Sequence, residues 1–228
     1  MTSTPIFADH HQAYVDAGWS GVLLLPPHAK HAPPPGYTGA GGRWPTRHDI
    51  ERWAREHPDG NIALRLPRDV IGVDIDAYKG PGVREALEAV TGPLPPTWCS
   101  TSRVDGSGIR FYRVPCPPTG TVWRGAPVPG VEIIQHHHRY AVVWPSIHPE
   151  GRGYLWVDET SGEIADRPPE IDELTELPWP AIAALTQQHD PGVAREPIAL
   201  VLPPGDMSVT VERRLQAATA ATRGERGS

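Results

Sequence analysis

Cysteine is scarce in this 228-residue sequence: Cys99 and Cys116 are the only two, far apart and outside any metal-ligand spacing. That excludes a disulfide framework and a zinc module, and makes a reduced, cytoplasmic protein the expectation. Long apolar runs are missing as well. No stretch approaches the roughly 20 residues that span a bilayer, and the first residues lack the basic-then-apolar layout of a signal peptide, so a soluble chain with no membrane partner is expected. Positive charge is in short supply too, with 21 Lys and Arg against 27 Asp and Glu and a net charge of −6. Such a balance gives no general affinity for polyanions, so any nucleic-acid binding has to come from a local basic cleft or from metal ions neutralising acidic groups. No internal repeat and no helicase motif is found.

Proline and glycine, by contrast, are abundant, at 28 and 23. They cluster at Pro26-Pro27, Pro33-Pro34-Pro35-Gly36, Pro93-Leu94-Pro95-Pro96, 115–118 and Pro203-Pro204-Gly205. The segments between them keep their hydrophobic pattern, so the clusters read as stiff loops in a folded chain. Helices are predicted over 7–17, stopped by Gly18; from a Thr46 cap to about residue 57; from Pro81 to about residue 90; and over 180–187. Strands are predicted over 22–25, 61–66, 70–76, 97–103, 108–114, 131–135, 140–144 and 154–157. Pro67-Arg68-Asp69 suggests a hairpin between the second and third of these. Strands and helices follow no regular alternation, which argues for an α+β fold. The composition changes beyond His189, so one domain over 1–187 is expected, followed over 188–228 by a linker and a helical extension around 209–222.

The most informative segment is Val70-Ile71-Gly72-Val73-Asp74-Ile75-Asp76. Alternate strand residues point to opposite faces, so Ile71, Val73 and Ile75 enter a core while both carboxylates project from the other side. This arrangement suits a cation, although Asp also closes strands and starts turns, and Tyr78-Lys79-Gly80-Pro81-Gly82 follows at once. Two further runs have the same habit. With Ile109 and Phe111 in the core, Arg110 and Tyr112 lie on the open face; with Val131 and Ile133 buried, Glu132 faces away from them. If the three strands share a sheet, neighbouring strands lie about 4.8 Å apart and three carboxylates and a guanidinium converge on one patch.

Lys30, Gly72-Val73-Asp74-Ile75-Asp76, Ser107-Gly108-Ile109-Arg110-Phe111-Tyr112, Gly130-Val131-Glu132-Ile133 and the Pro145-Ser146-Ile147-His148-Pro149 turn occur in an order that resembles a known family. The chain is similar to the bifunctional primase/polymerase (Prim-Pol) N-terminal domains of the archaeo-eukaryotic primase superfamily over roughly residues 8–187. The resemblance implies an N-terminal αβ half packed on a half like an RNA-recognition-motif sheet, with the active site between them. It implies template-directed nucleotidyl transfer in plasmid or phage-type DNA replication, with single-stranded DNA template, primer and nucleoside triphosphates as partners. Asp74 and Asp76 match the first acidic motif and Glu132 the third. The second motif usually carries a histidine that contacts the triphosphate; Arg110 stands where it is expected, and a guanidinium can also bind phosphate.

On this reading Asp74, Asp76 and Glu132 hold two Mg²⁺ or Mn²⁺ ions, which take hard oxygen ligands. Arg110 and Lys30 are the candidates for the triphosphate, and Ser107 with Gly108 offers it a hydroxyl and backbone amides, unless these two simply turn a hairpin. Strand parity carried on from Glu132 puts His136 and His138 on the catalytic face, as substitutes for the missing histidine; the plainer reading is a polar hairpin tip. A structural role is expected for His148. Tyr112, Trp144 and Trp156 are either stacking surfaces for bases or packing. The alternative function is a catalytically weak or inactive primase-like module that binds nucleic acid, favoured by Arg110 and opposed by three clustered carboxylates. Any unwinding requires a helicase domain or subunit elsewhere.

Overall fold

The structure, a computed structural model, describes residues 4–114 and 121–187. Helix α1 (Ile6–Asp16) buries Ile6, Phe7 and Tyr14 and ends before Gly18, which has a left-handed φ of 90°. Four consecutive buried apolar residues form β1 (Val22–Leu25). Helix α2 (Arg47–Glu56) starts at a capping box: Thr46 Oγ1 accepts from the Asp49 amide at 3.1 Å, and Asp49 Oδ2 accepts from the Thr46 amide at 3.0 Å. The proline loop between them is fastened by buried Arg65, whose guanidinium donates to the carbonyls of Tyr37, Gly39, Gly42 and Arg43 at 2.9 to 3.1 Å. Charge-assisted bonds of this kind fix a loop that has no regular hydrogen bonding of its own.

Then come β2 (Asn61–Leu64), β3 (Val70–Ile75), α3 (Val83–Thr91), β4 (Trp98–Thr101), β5 (Gly108–Arg113), β6 (Val122–Trp123) and β7 (Val131–Ile134). The remaining elements are β8 (Ala141–Val142), β9 (Leu155–Asp158), β10 (Glu163–Ala165), α4 (Trp179–Leu185) and β11 (Thr186–Gln187). Among the described residues the strands form antiparallel sheets in the orders β1-β2-β8, β10-β9-β4-β5-β3-β7 and β11-β6. The expected α+β class holds. Strands β6, β10 and β11 have only two or three residues each, too few to carry a period, which is why the pattern does not predict them.

The hairpin expected across Pro67-Arg68-Asp69 does not form. Strand β2 pairs with β1 and β8, whereas β3 pairs with β5 on one side and β7 on the other. The reason lies in β3 itself: Val70, Ile71, Val73 and Ile75 are buried, and a strand that buries side chains on both faces belongs in the middle of a sheet. Ile71, Val73 and Ile75 pack with Tyr112, Ile133, Leu87 of α3 and Ile182 of α4. On the other face Val70 joins Phe111, Ile134 and Trp156 against α1 and the three-stranded sheet. Cys99 is a buried free thiol, and burial pushes its pKa up to about 12. Cys116 and the helix expected over 209–222 lie outside the described residues.

Candidate active site

Register sets the site. Asp74 lies directly opposite Glu132 on β7 and opposite Ile109 on β5, so these three side chains share a face of the sheet. Asp76 follows two residues on, its amide bonded to the Gly130 carbonyl at 2.8 Å, which continues the β3–β7 ladder past the end of the strand. At this end the face leaves the core and opens into a cleft of about 480 Å³ lined by all three carboxylates together with Lys30, Ser107, Ile109 and Tyr140. Arg103, Arg139, His148 and Tyr78 line it too.

The electrostatics are uneven. Lys79 Nζ sits 2.5 Å from Asp76 Oδ2, and Arg139 Nη2 lies 3.2 Å from Glu132 Oε2. Asp74 forms no ion pair among the described residues. Burial first, then the charges of Asp76 and Glu132, raise its pKa from 3.8 to about 6. Lys79 and Lys30 pull the other way, so the charge of Asp74 is compensated only in part. No set of three or more His, Cys, Asp or Glu side chains among the described residues is gathered into a ready metal site. In kind, though, the residues fit a divalent cation: the donors are hard carboxylate oxygens, and a cation beside Asp74 supplies the compensation it lacks.

The cleft gathers Asp74, Asp76, Glu132, Lys30 and Ser107, but not Arg110. Arg110 pairs in register with Val73, on the opposite face from Asp74. There its side chain is 5% exposed, and Nη2 bonds Glu159 Oε1 at 2.9 Å. The expected open face of β5 is not open: Arg110 and Tyr112 are buried on it, while Ile109, half-buried and packed against the core on the other face, lines the cleft. His136 and His138 are also outside the cleft. Strand β7 ends at Ile134 and a turn follows, with Gln135 and His138 exchanging backbone bonds at 3.0 and 2.9 Å, so the parity does not extend to them. His136 stacks on Trp44 with centroids 4.9 Å apart and places Nδ1 3.1 Å from the Leu66 carbonyl, while His138 is exposed. The plainer hairpin-tip reading describes them. Ser107 reaches the cleft, but its Oγ accepts from the Tyr78 amide at 3.3 Å.

Tyr112 and Trp156 are fully buried, and Trp144 packs against His10, so all three are packing. Sequence reasoning missed Arg139, Arg103 and Tyr78 and gave His148 a structural role. Their signal is faint: Tyr78 stands in the short 3-10 helix Ala77–Lys79 and Arg103 in the loop between β4 and β5, where strand parity gives no direction. Tyr78 is 54% exposed at the cleft, with the Arg103 guanidinium 4.5 Å from its ring centroid.

Among known families, the model for bifunctional DNA primase/polymerase, N-terminal (Prim-Pol), matches residues 11–178. Neither a comparison with curated proteins nor one with solved structures found a match. The matched span runs from within α1 to the residue before α4 and takes in every strand that carries a cleft carboxylate. The chain therefore belongs to the family of bifunctional DNA primase/polymerase N-terminal domains.

Proposed function

We propose that the domain performs template-directed nucleotidyl transfer, adding (d)NTPs to a primer on single-stranded DNA, with Asp74, Asp76 and Glu132 as the catalytic carboxylates. Family membership supports an activity of the DNA primase/polymerase type and nucleotidyltransferase chemistry in general. The observation that carries the finer reading is the cross-strand pair of Asp74 and Glu132, with Asp76 beside them in one cleft. These three residues would hold Mg²⁺ or Mn²⁺, as two ions. The chemistry such ions would supply there is stabilisation of the negative charge on the attacking 3′-oxygen and on the departing pyrophosphate.

The chain's own cations do the rest. Lys30 meets the triphosphate as a point charge from a stiff loop. Lys79 and Arg139 pair with Asp76 and Glu132 in the free protein, and Arg139, which lines the cleft, adds a further cation to it. Ser107 closes the β4–β5 turn under the site. The run β3-α3-β4-β5 with β7 added beside β3 supports a sheet like that of an RNA-recognition motif, and the N-terminal sheet and helices the αβ half of an archaeo-eukaryotic primase-like arrangement. Work in plasmid or phage-type replication, in the cytoplasm and alongside a helicase domain or subunit, is the setting we propose. Among the described residues no helix is long and apolar enough to cross a membrane.

One observation favours the second reading, a catalytically weak nucleic-acid-binding module: the β5 side chain that faces the cleft is Ile109, which offers phosphate neither charge nor hydrogen bond. Primer extension with labelled nucleotides and Mn²⁺ separates the two. Extension that vanishes in Asp74→Ala/Asp76→Ala is the expected outcome. Template binding without incorporation by the unaltered protein would sink the polymerase reading in favour of the module.

A further inference from the structure

The first residue of β2, Asn61, is fully buried and uses its amide on two distant segments at once. Its Nδ2 donates to the carbonyl of Ala29, 32 residues upstream, at 3.0 Å and to that of Ile147, 86 residues downstream, at 2.7 Å. Its Oδ1 accepts from the Ile147 amide at 2.9 Å. Both amide protons and one lone pair are therefore committed. The residues clamped in this way immediately precede Lys30 and His148, two of the cleft's nitrogen-bearing side chains.

Three more features show that these segments are built rather than merely placed. Lys30 is flanked by His28 and Ala32 at φ of 55° and 62°, a left-handed conformation that costs free energy for residues other than glycine and persists only when neighbours impose it. The Tyr140 hydroxyl donates to the Lys30 carbonyl at 3.1 Å. The buried Ser146 hydroxyl accepts from the Ile62 amide at 2.8 Å and donates to the Ile62 carbonyl at 3.0 Å, a second rung beside that of Asn61.

His148 is buried, and its Nδ1 accepts from the Glu150 amide at 3.1 Å, with Arg152 Nη2 at 3.4 Å. An accepting Nδ1 puts the ring proton on Nε2, so the neutral imidazole is an N–H donor. Burial, then Lys30 and Arg152, push its pKa below the usual range and favour that neutral form. With Ile109 silent on β5, this wall joins Arg103 and Arg139 as a source of donors to an anion in the cleft.

We infer that Asn61 is a positioning residue, which fixes Lys30 and His148 as one anion-binding wall of the cleft, and that this wall takes the polyphosphate of a nucleoside triphosphate. The identity of the anion rests on the function proposed above; the tie does not.

The test is calorimetric titration of the full chain with inorganic tripolyphosphate at constant Mg²⁺, alongside single-stranded DNA affinity and primer extension. Lys30→Ala, His148→Gln and Asn61→Ala are each expected to weaken tripolyphosphate binding about tenfold, the scale of one lost charged or charge-assisted contact, with DNA affinity unchanged. Asn61→Ala combined with Lys30→Ala should lose clearly less than the product of the two single effects, because Asn61 acts partly through Lys30. Full multiplicativity overturns the positioning role. If Asn61→Ala does not fold, the contact variants still decide: unchanged tripolyphosphate affinity in both Lys30→Ala and His148→Gln overturns the wall. Tripolyphosphate binding with the expected pattern but no extension leaves the wall standing and removes the polymerase reading. Extension together with unaltered tripolyphosphate affinity in all variants does the reverse.

Discussion

Asp74 is ionised at the expense of stability. Its pKa of about 6 in the folded chain lies above its ordinary 3.8, so between about pH 4 and 6 the native state holds a proton that the unfolded state has released. Stability therefore falls as pH rises through that window, and the full penalty is present above it. At pH 7 to 8, Asp74→Asn is expected to stabilise the metal-free protein by about 2 to 3 kcal/mol, a gain that fades to nothing by about pH 4. Urea melts across a pH series check this; an equal gain at pH 4 and pH 8 would contradict it. The same variant should lose nucleotide incorporation. Arg110 is the opposite case, a residue whose worth is structural. Its Nε and the Oε2 of Glu159 have no hydrogen-bond partner among the described residues, so the buried pair is incompletely satisfied. Removing one partner strands the other: Arg110→Ala is expected to cost about 3 to 5 kcal/mol, while Arg110→Met with Glu159→Gln should recover most of it. Nucleotide affinity of the folded variants should match that of the parent. A folded Arg110 variant with selectively weakened nucleotide binding would return this residue to the site.

At the scale of elements, local chemistry and pairing separate cleanly. The α2 capping box is written in Thr46 and Asp49, and both of its bonds form. Thr46→Ala should lower stability by about 1 kcal/mol and leave primer extension untouched, which a thermal melt and an activity assay together establish. Strand β3 was equally legible as a strand, since its apolar period of two is intact and Asp74 and Asp76 interrupt only one face. Its partners were not legible. The Pro67-Arg68-Asp69 break resembles a hairpin turn, yet nothing local says that both edges of β3 are taken by β5 and β7. Arg110 shows the consequence. Parity within β5 separates Arg110 from Ile109 correctly, but which of them faces the cleft depends on the register with Asp74, a contact between residues far apart in sequence. His136 and His138 fail for a related reason, because a period of two is meaningful only while the strand lasts, and β7 stops at Ile134.

For the whole molecule, the proposed domain boundary makes a direct prediction. A fragment ending at Gln187 is expected to unfold cooperatively and to keep metal-dependent extension; failure to fold would move residues beyond it into the domain. The α+β class, the stiff proline loops, most strand and helix segments and the candidacy of Asp74, Asp76 and Glu132 were determined by the sequence alone, because each rests on short-range chemistry: periodicity, caps, turn residues, motif spacing. Tertiary structure decided what those segments meet. It set Ile109 rather than Arg110 over the cleft, paired Lys79 and Arg139 with two of the carboxylates, and drew Lys30 and His148 together through Asn61. Those outcomes follow from strand register and from hydrogen bonds that close over tens of residues, and the free energies that select them belong to the packed chain as a whole rather than to any segment of it.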